Sequence, residues 1–295
     1  MTPYLLILLA AALWAMIGVF TTGLLETGVT AMEIAFWRAL AGGGLFVLHG
    51  LVAGHLELQR RRDAGWFVGF GIFGVALFFG AYNLAIDTGG ISLAVILLYT
   101  APAFVVVLAR IFLGEQLTVP KLVAVVLVGV GVTLVTLGGD TAGITVSAES
   151  IGWGLCAGLG YASFYIVGKH LLARYHPVAV YAFVLPVAAI ALLPFVEFSP
   201  KSPLAWGLLA LLVVLSTYLA YLVYYLGLRR ADASRAVLVA STEPVMATAL
   251  AALIFGERFG LWGGLGAALV VAASIIGVVT ARRRVDSTTP KNETE

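Results

Sequence analysis

One carboxylate stands in a stretch that otherwise reads as hydrocarbon. Glu243 lies directly before Pro244, inside the apolar run 234–256. A charged side chain at the centre of a bilayer costs about 3 kcal/mol on insertion scales. The group must be paired, face water or carry a proton. Its chemistry would be proton carriage; its plainer role is a protonated or water-bridged carboxyl that ties two helices together. Arg38 is the second such group, about two turns in from one end of the run 31–53. Its long side chain can snorkel outward, or turn inward toward Glu243 or an anionic group of a solute. Both readings stay open. Glu33, one turn inside the same end, reads as interfacial.

Aromatic residues supply the third kind of chemistry. Trp14, Tyr82, Tyr99, Tyr161, Tyr165, Tyr221, Tyr224 and Tyr225 all fall well inside apolar runs. A tyrosine in hydrocarbon needs a hydrogen-bond partner and so prefers a bundle interior. Tyr161 and Tyr165 are one helical turn apart, and Tyr221 stands in the same relation to Tyr224 and Tyr225. Taken singly, each is core packing. As a set they can line a site for a solute with polar and apolar parts, to which Asn83, Thr100 and Thr242 can add hydrogen bonds.

The elements that position these groups are written twice. Tyr82-x-Leu84, Ser92, Ala94-Val95, Thr100-x-Pro102, Leu108-Ala109 and Gly114-Glu115 recur as Tyr224-x-Leu226, Ser234, Ala236-Val237, Thr242-x-Pro244, Leu250-Ala251 and Gly256-Glu257. The offset is 142 positions throughout, with no gap. At the position of Glu243 the first copy has Ala101, so the halves differ chemically there.

Hydrophobic residues make up 61% of the chain and charged residues 11%, against roughly 25% charged in an average soluble domain. Too little polar surface remains to face water. The basic residues form short scattered clusters rather than one face, so a net charge of +2 gives no sign of nucleic-acid binding. The lone Cys156 sits in an apolar run and reads as a small buried hydrophobe. Met1-Thr2-Pro3 lacks the positive start of a cleaved signal peptide.

A spanning helix takes about 20 mostly apolar residues. Ten such runs are expected, at 4–24, 31–53, 66–86, 91–113, 119–138, 151–173, 177–196, 204–228, 234–256 and 260–281. Lysine and arginine set the orientation. With a cytoplasmic N-terminus, the inner loops and tail hold Arg60, Arg61, Arg62, Lys121, Lys169, Arg174, Arg229, Arg230, Arg235, Arg282, Arg283, Arg284 and Lys291. The outer loops hold only Lys201 and Arg258. This bias places both termini inside. Five spans per half is an odd number, so the second half enters from the opposite face. The expected units are repeat 1 at 4–138, a connecting loop at 139–150, repeat 2 at 151–281 and a disordered cytoplasmic tail at 282–295.

Pro102 and Pro244 fall near mid-span at matched positions. A proline inside a helix removes a hydrogen bond and crowds the preceding turn, so the pair predicts matched bends around a central cavity. Pro186 and Pro194 read as local bends. Gly65-xxx-Gly69, Gly154-xxx-Gly158, Gly260-xxx-Gly264 and Gly42-Gly43-Gly44 predict close helix contacts. Internal repeats with interrupted helices at corresponding positions point to a transporter.

These residues together resemble the drug/metabolite transporter superfamily, in its EamA-like branch of ten-helix exporters. The likeness covers about residues 4–281. It is carried by Ala12-Leu13-Trp14-Ala15, Trp37-Arg38, Tyr82-x-Leu84-Ala85, Pro102, Gly114-Glu115, Glu243-Pro244-Val245 and Gly256-Glu257. The resemblance implies an all-α membrane protein with two inverted five-helix repeats around a central cavity. It implies export of amino acids and other small metabolites across the bacterial inner membrane, with no enzyme activity and no cofactor. The two Gly-Glu pairs match a helix-end motif, read as capping. Relatives that carry sugar phosphates use intramembrane lysine or arginine for phosphate. With no mid-span lysine and one intramembrane arginine, this chain is expected to take uncharged or zwitterionic solutes.

The leading expectation is a monomeric secondary transporter working by alternating access, proton-coupled through Glu243; the alternative is a facilitative uniporter, or an exporter of drugs or other metabolites with the same fold. An intramembrane enzyme is the remote alternative. The sequence holds no His-Glu-x-x-His metal motif, Gly139-Asp140 has no partner aspartate within a span, and Ser92 sits at a helix start where capping is the ordinary role. A channel is the third class.

Overall fold

The computed structural model describes residues 2–137, 145–255 and 260–288. The described residues are helical, with no strand among them. The helices are α1 (Pro3–Glu26), α2 (Ala31–Ala53), α3 (Asp63–Gly89), α4 (Ile91–Leu98), α5 (Ala101–Phe112) and α6 (Val119–Leu137). After the break come α7 (Ala148–Leu172), α8 (Pro177–Phe195), α9 (Pro203–Leu228), α10 (Ala233–Ala240), α11 (Glu243–Phe255) and α12 (Leu261–Thr288).

Helix starts follow local sequence. Thr30 caps α2 through Glu33 N (3.2 Å), and Ser147 and Ser150 form a reciprocal capping box at α7. Pro3, Pro177 and Pro203 take first-turn positions, where the missing N–H removes nothing. Gly90, with φ of 84°, separates α3 from α4, a backbone state that favours glycine.

Nine of the ten expected spans are long and apolar enough to cross a membrane among the described residues. The tenth, 234–256, is divided between α10 and α11. The span 91–113 is divided in the same way between α4 and α5, and the described part of 234–256 ends at Phe255. Pro102 and Pro244 are not kinks within a helix interior, as the sequence predicts. Each lies at the second residue of a new helix, after a break at Tyr99-Thr100 and at Ser241-Thr242. Local hydroxyls reinforce the turns there: Thr100 Oγ1 donates to Leu97 O (2.6 Å), which also accepts from Thr100 N, and Thr242 Oγ1 donates to Val239 O (2.8 Å), which also accepts from Thr242 N. In lipid such groups need an internal partner. The side chains of Asn83, Thr100 and Thr242 are therefore already engaged locally, Asn83 with Phe79 O (3.0 Å).

The repeat is visible in the backbone. A π-helical stretch at Phe70–Ala76 in α3 recurs at Leu212–Leu219 in α9, on the same offset as the two breaks. Helix pairings also match. α1 packs on α9, α10 and α11, while α7 packs on α3, α4 and α5. α2 packs against α8, and α6 against α12. At the α6–α12 crossing a Cβ on Gly131 would sit 2.8 Å from Gly266 O, so the backbones touch through glycine.

Several packing expectations need correction. Gly154 and Gly158 do admit close contacts, to Leu97 and Thr100, and Gly42 and Gly43 to Thr217 and Pro186. Gly65, Gly69, Gly44 and Gly264 face open space, so those spacings do not mark contacts. The tail expected to be disordered from 282 starts as helix, since α12 runs to Thr288; arginine is a good helix former and lets the helix run on. Gly256-Glu257, Arg258 and Lys291 lie outside the described residues.

Candidate functional site

The sequence-selected residues converge between the halves. Glu243 opens α11, immediately after the helix break, and is half-buried. Tyr161 of α7 donates its hydroxyl to Glu243 Oε2 at 3.5 Å, and Tyr165 donates to the Tyr161 hydroxyl at 3.3 Å. Tyr99, at the matching break in the other half, also lies beside the Glu243 carboxyl. The Glu243 carboxyl thus lies among phenols from both halves.

Arg38 is buried and turned inward. Its Nε donates to Thr217 Oγ1 at 3.1 Å, and its guanidinium lies 5.3 Å from the centroid of the Phe79 ring. Thr217 sits in the π-helical stretch of α9. Such a stretch shifts the register of side chains and is common at functional sites. Arg38 acts electrostatically on both Glu243 and Tyr221. The Arg38 side chain is thus directed into the bundle rather than outward along it.

The rings join these charges. Trp14 lies 5.8 Å from Tyr221 and 5.0 Å from Tyr224 between centroids. Tyr224 meets Tyr165 at 5.6 Å, and Tyr165 meets Tyr161 at 5.6 Å. Phe78 stacks on Tyr161 at 5.7 Å and reaches Tyr82 at 6.3 Å. Trp14 Nε1 is buried with no hydrogen-bond partner among the described residues. An unpaired buried donor is expensive in a finished core, and natural where a bound molecule supplies the acceptor.

The aromatic set divides on exposure. Tyr82, Asn83, Tyr161 and Glu243 keep partial exposure at mid-span, whereas Tyr165, Tyr221 and Tyr224 are buried behind them. Tyr225 is a correction. It is fully buried, fills the space beside Gly168, donates to Phe164 O (3.2 Å) and packs on Tyr181 (4.3 Å). It is a strut of the core and not part of a lining, because its hydroxyl already has a backbone partner.

Sequence reasoning missed Phe78, Phe164, Tyr181 and Thr217. Phe78 lies one turn before Tyr82, a spacing that was available. It also misread Glu33. That residue is fully buried and ion-paired with Lys201. Ser199 N (3.2 Å), Ser199 Oγ (2.8 Å) and Trp37 Nε1 (3.2 Å) complete its carboxylate. Lys201 in turn lies over the rings of Trp37, Phe198 and Trp206, at 5.5, 5.9 and 5.4 Å. The signal was the exceptional placement of Lys201 among otherwise acidic loops. Ser92 also differs from expectation: the N-cap of α4 is Gly90.

At the opposite end of the bundle Glu115 accepts from Ala233 N (2.6 Å) and Ser234 N (3.3 Å) and pairs with Lys121 (3.2 Å). No group of three or more metal-ligating side chains occurs among the described residues.

Known proteins place this arrangement. A solved crystal structure superposes with a TM-score of 0.82 at 19% identity, covering 95% of this chain and 98% of that one. The Salmonella typhimurium protein named "Uncharacterized inner membrane transporter YicL" is 24% identical over 94% of this chain and 95% of its own length. The Bacillus subtilis protein named "Uncharacterized transporter YxxF" is 22% identical over 100% of this chain and 95% of its own. The Ancylobacter novellus protein named "Aromatic amino acid exporter YddG" is 27% identical over 82% of this chain and 85% of its own. The family model described as the EamA-like transporter family matches residues 1–137 and 149–279. With nearly its whole length matched, this chain is a multi-span membrane protein of the EamA-like transporter family.

Proposed function

We propose that this transporter exports small zwitterionic metabolites, amino acids foremost, across the inner membrane by alternating access. The observation that carries this reading is the pairing of one fixed cation, Arg38, with one ionisable carboxyl, Glu243, in a single aromatic interior. A solute carboxylate is satisfied by Arg38 and the free Trp14 N–H; its ammonium is satisfied by Glu243 and the Tyr99 and Tyr161 oxygens. The rings take an apolar or aromatic side chain. The aromatic amino-acid exporter named above supports the same solute class by likeness.

The working unit is a monomer of two inverted repeats, 4–138 and 151–281, with both termini in the cytoplasm. Matched π-helical stretches, matched breaks and matched helix pairings support the repeat, and the lysine and arginine bias supports the orientation. In this orientation the Glu33–Lys201 end faces outward and the Glu115 end faces the cytoplasm. Glu243 couples export to protons by taking one up from the outer side as the solute ammonium leaves and releasing it to the cytoplasm before the next solute binds, the Tyr161–Tyr165 hydroxyls keeping their own protons and hydrogen-bonding the carboxylate.

Counterflow in proteoliposomes tests the reading. An aromatic amino acid should compete with its own labelled form, while the amine lacking the carboxylate and the acid lacking the ammonium should compete poorly. A charge-assisted hydrogen bond contributes about 1.5–3 kcal/mol, so Arg38→Gln should raise half-saturation about tenfold or more and remove discrimination against the amine. Glu243→Gln should retain counterflow and lose dependence on a pH gradient. Unchanged solute preference in Arg38→Gln would refute the zwitterion reading. An unchanged pH response in Glu243→Gln would remove Glu243 as the coupling group, and a wild type indifferent to the pH gradient would leave a facilitative uniporter.

A further inference from the structure

Helix α10 begins in an unusual way. Its N-cap, Asp232, makes no capping hydrogen bond with its side chain; the carboxylate instead pairs with Arg235 at 3.4 Å. A helix start leaves N–H groups without internal partners. Two of these are met from 118 and 119 residues away, by Glu115. Its Oε1 accepts from Ala233 N at 2.6 Å, its Oε2 from Ser234 N at 3.3 Å, and the Ser234 hydroxyl donates to the same Oε2. Gly114, with φ of 69°, turns the chain at the end of α5 so that Glu115 points across to α10.

The other side of the same turn is held by a cation. Lys169 Nζ donates to the carbonyls of Leu228 (2.7 Å), Arg229 (3.2 Å) and Ala231 (2.6 Å). The α9–α10 turn is thus gripped by a carboxylate on its N–H side and an ammonium on its carbonyl side. Each charge has the sign the helix end favours.

The location gives the grip a consequence. At this end α5 and α10 pack on each other. Beyond the breaks the continuing halves part: α4 lies on α7, and α11 lies on α1. Helix α10 has eight residues and leads into the Ser241-Thr242 break. It is a short rod with a joint at one end and Glu115 at the other.

We propose that Glu115 is the latch of the inner gate. It holds α10 closed on α5, and opening toward the cytoplasm releases the Ala233 and Ser234 N–H groups while Lys121 keeps the freed carboxylate paired. Glu115 is a positioning residue that does not touch solute. Ala233 and Ser234 are buried while the Glu115 side chain keeps 12% exposure, so the contact seals the helix start at its edge, and a few hydrogen bonds of this kind can break and re-form in every cycle. The proposal rests on the alternating-access reading, and its test uses no solute, so the two fail separately.

Two reporter cysteines, introduced one at a time in a Cys156→Ser background, read the gate in reconstituted full-length protein. Val237→Cys lies one turn beyond Ser234 and is buried; Val95→Cys is its repeat counterpart near the opposite face. A membrane-impermeant maleimide is applied from each side. Glu115→Gln should speed labelling at 237 from the cytoplasmic side about fivefold or more and slow labelling at 95 from the outer side, as a shift between two states requires. Ser234→Ala, which leaves the Ala233 contact, should do the same to a smaller degree and serves if Glu115→Gln fails to fold. Faster labelling at both positions means general loosening and overturns the proposal. Unchanged rates in Ser234→Ala and Glu115→Gln overturn it equally.

Discussion

Replacing Lys201 with methionine removes one charge from a buried pair and leaves the other in place. The side chains of Lys201 and Glu33 are 5% and 0% exposed, so water cannot compensate the stranded carboxylate. Breaking one side of a buried pair costs about 3–5 kcal/mol. Three neutral donors remain on Glu33, two from Ser199 and one from Trp37. They hold the loss to the lower end, about 3 kcal/mol. Methionine keeps apolar contact with Trp37, Phe198 and Trp206; the lost cation–π attraction, about 0.5–1 kcal/mol or more for each ring, comes on top of that loss, so about 3 kcal/mol is a lower bound. A loss of about 3 kcal/mol is roughly a hundredfold in an equilibrium constant. The assay is a double-mutant cycle on thermal unfolding in detergent, with Lys201→Met, Glu33→Gln and the double variant. The double variant should recover most of the loss, because no unpaired charge remains. If Lys201→Met matches wild type within about 0.5 kcal/mol, or the double variant is less stable than either single one, the buried-pair argument is wrong.

Two further outcomes follow from the packing at other sites. His176 caps α8 and its ring lies 4.0 Å from that of His55. Burial, then the positive fields of His55, Arg229 and His49, hold its imidazole below the usual histidine value. A lowered histidine value means that the unfolded chain takes up the proton first, so stability is unaffected above about pH 6.5 and falls as the pH drops below it. Thermal unfolding at pH 7.5 and 5.5 should show this loss in wild type and a smaller one in His176→Asn, which retains a capping side chain. At the α6–α12 crossing, Gly131→Ala would place a methyl 2.8 Å from Gly266 O and from Val270 Cγ2. Overpacking of this kind costs about 1–3 kcal/mol, so the variant should unfold at lower temperature, while Gly129→Ala, which meets nothing within 4 Å, should not.

Much of the fold was legible because hydrophobic length and internal repetition are local or periodic signals. The apolar runs, the matched Pro102 and Pro244, and the isolated Glu243 and Arg38 could all be read along the chain. Helix breaks were partly legible: proline position showed that something happens at mid-span, while only the backbone turns at Thr100 and Thr242, bonded back to Leu97 O and Val239 O, show that the helix stops and restarts there. The glycine spacings were least informative, since Gly65-xxx-Gly69 and Gly154-xxx-Gly158 look alike and only the second meets a neighbour.

The amino-acid sequence by itself determined a membrane-spanning, twice-written helical chain with a carboxyl and a guanidinium where lipid would otherwise require neither. Apolar length, the lysine and arginine bias and the constant offset carry that without reference to any contact. Only the tertiary structure decided which groups meet: Glu115 with Ser234, Arg38 with Thr217, Tyr161 with Glu243, and Glu33 with Lys201. These partners lie 82 to 179 residues apart. Side-chain direction across helices depends on packing, and neither propensity nor spacing encodes which face of one helix another will cover.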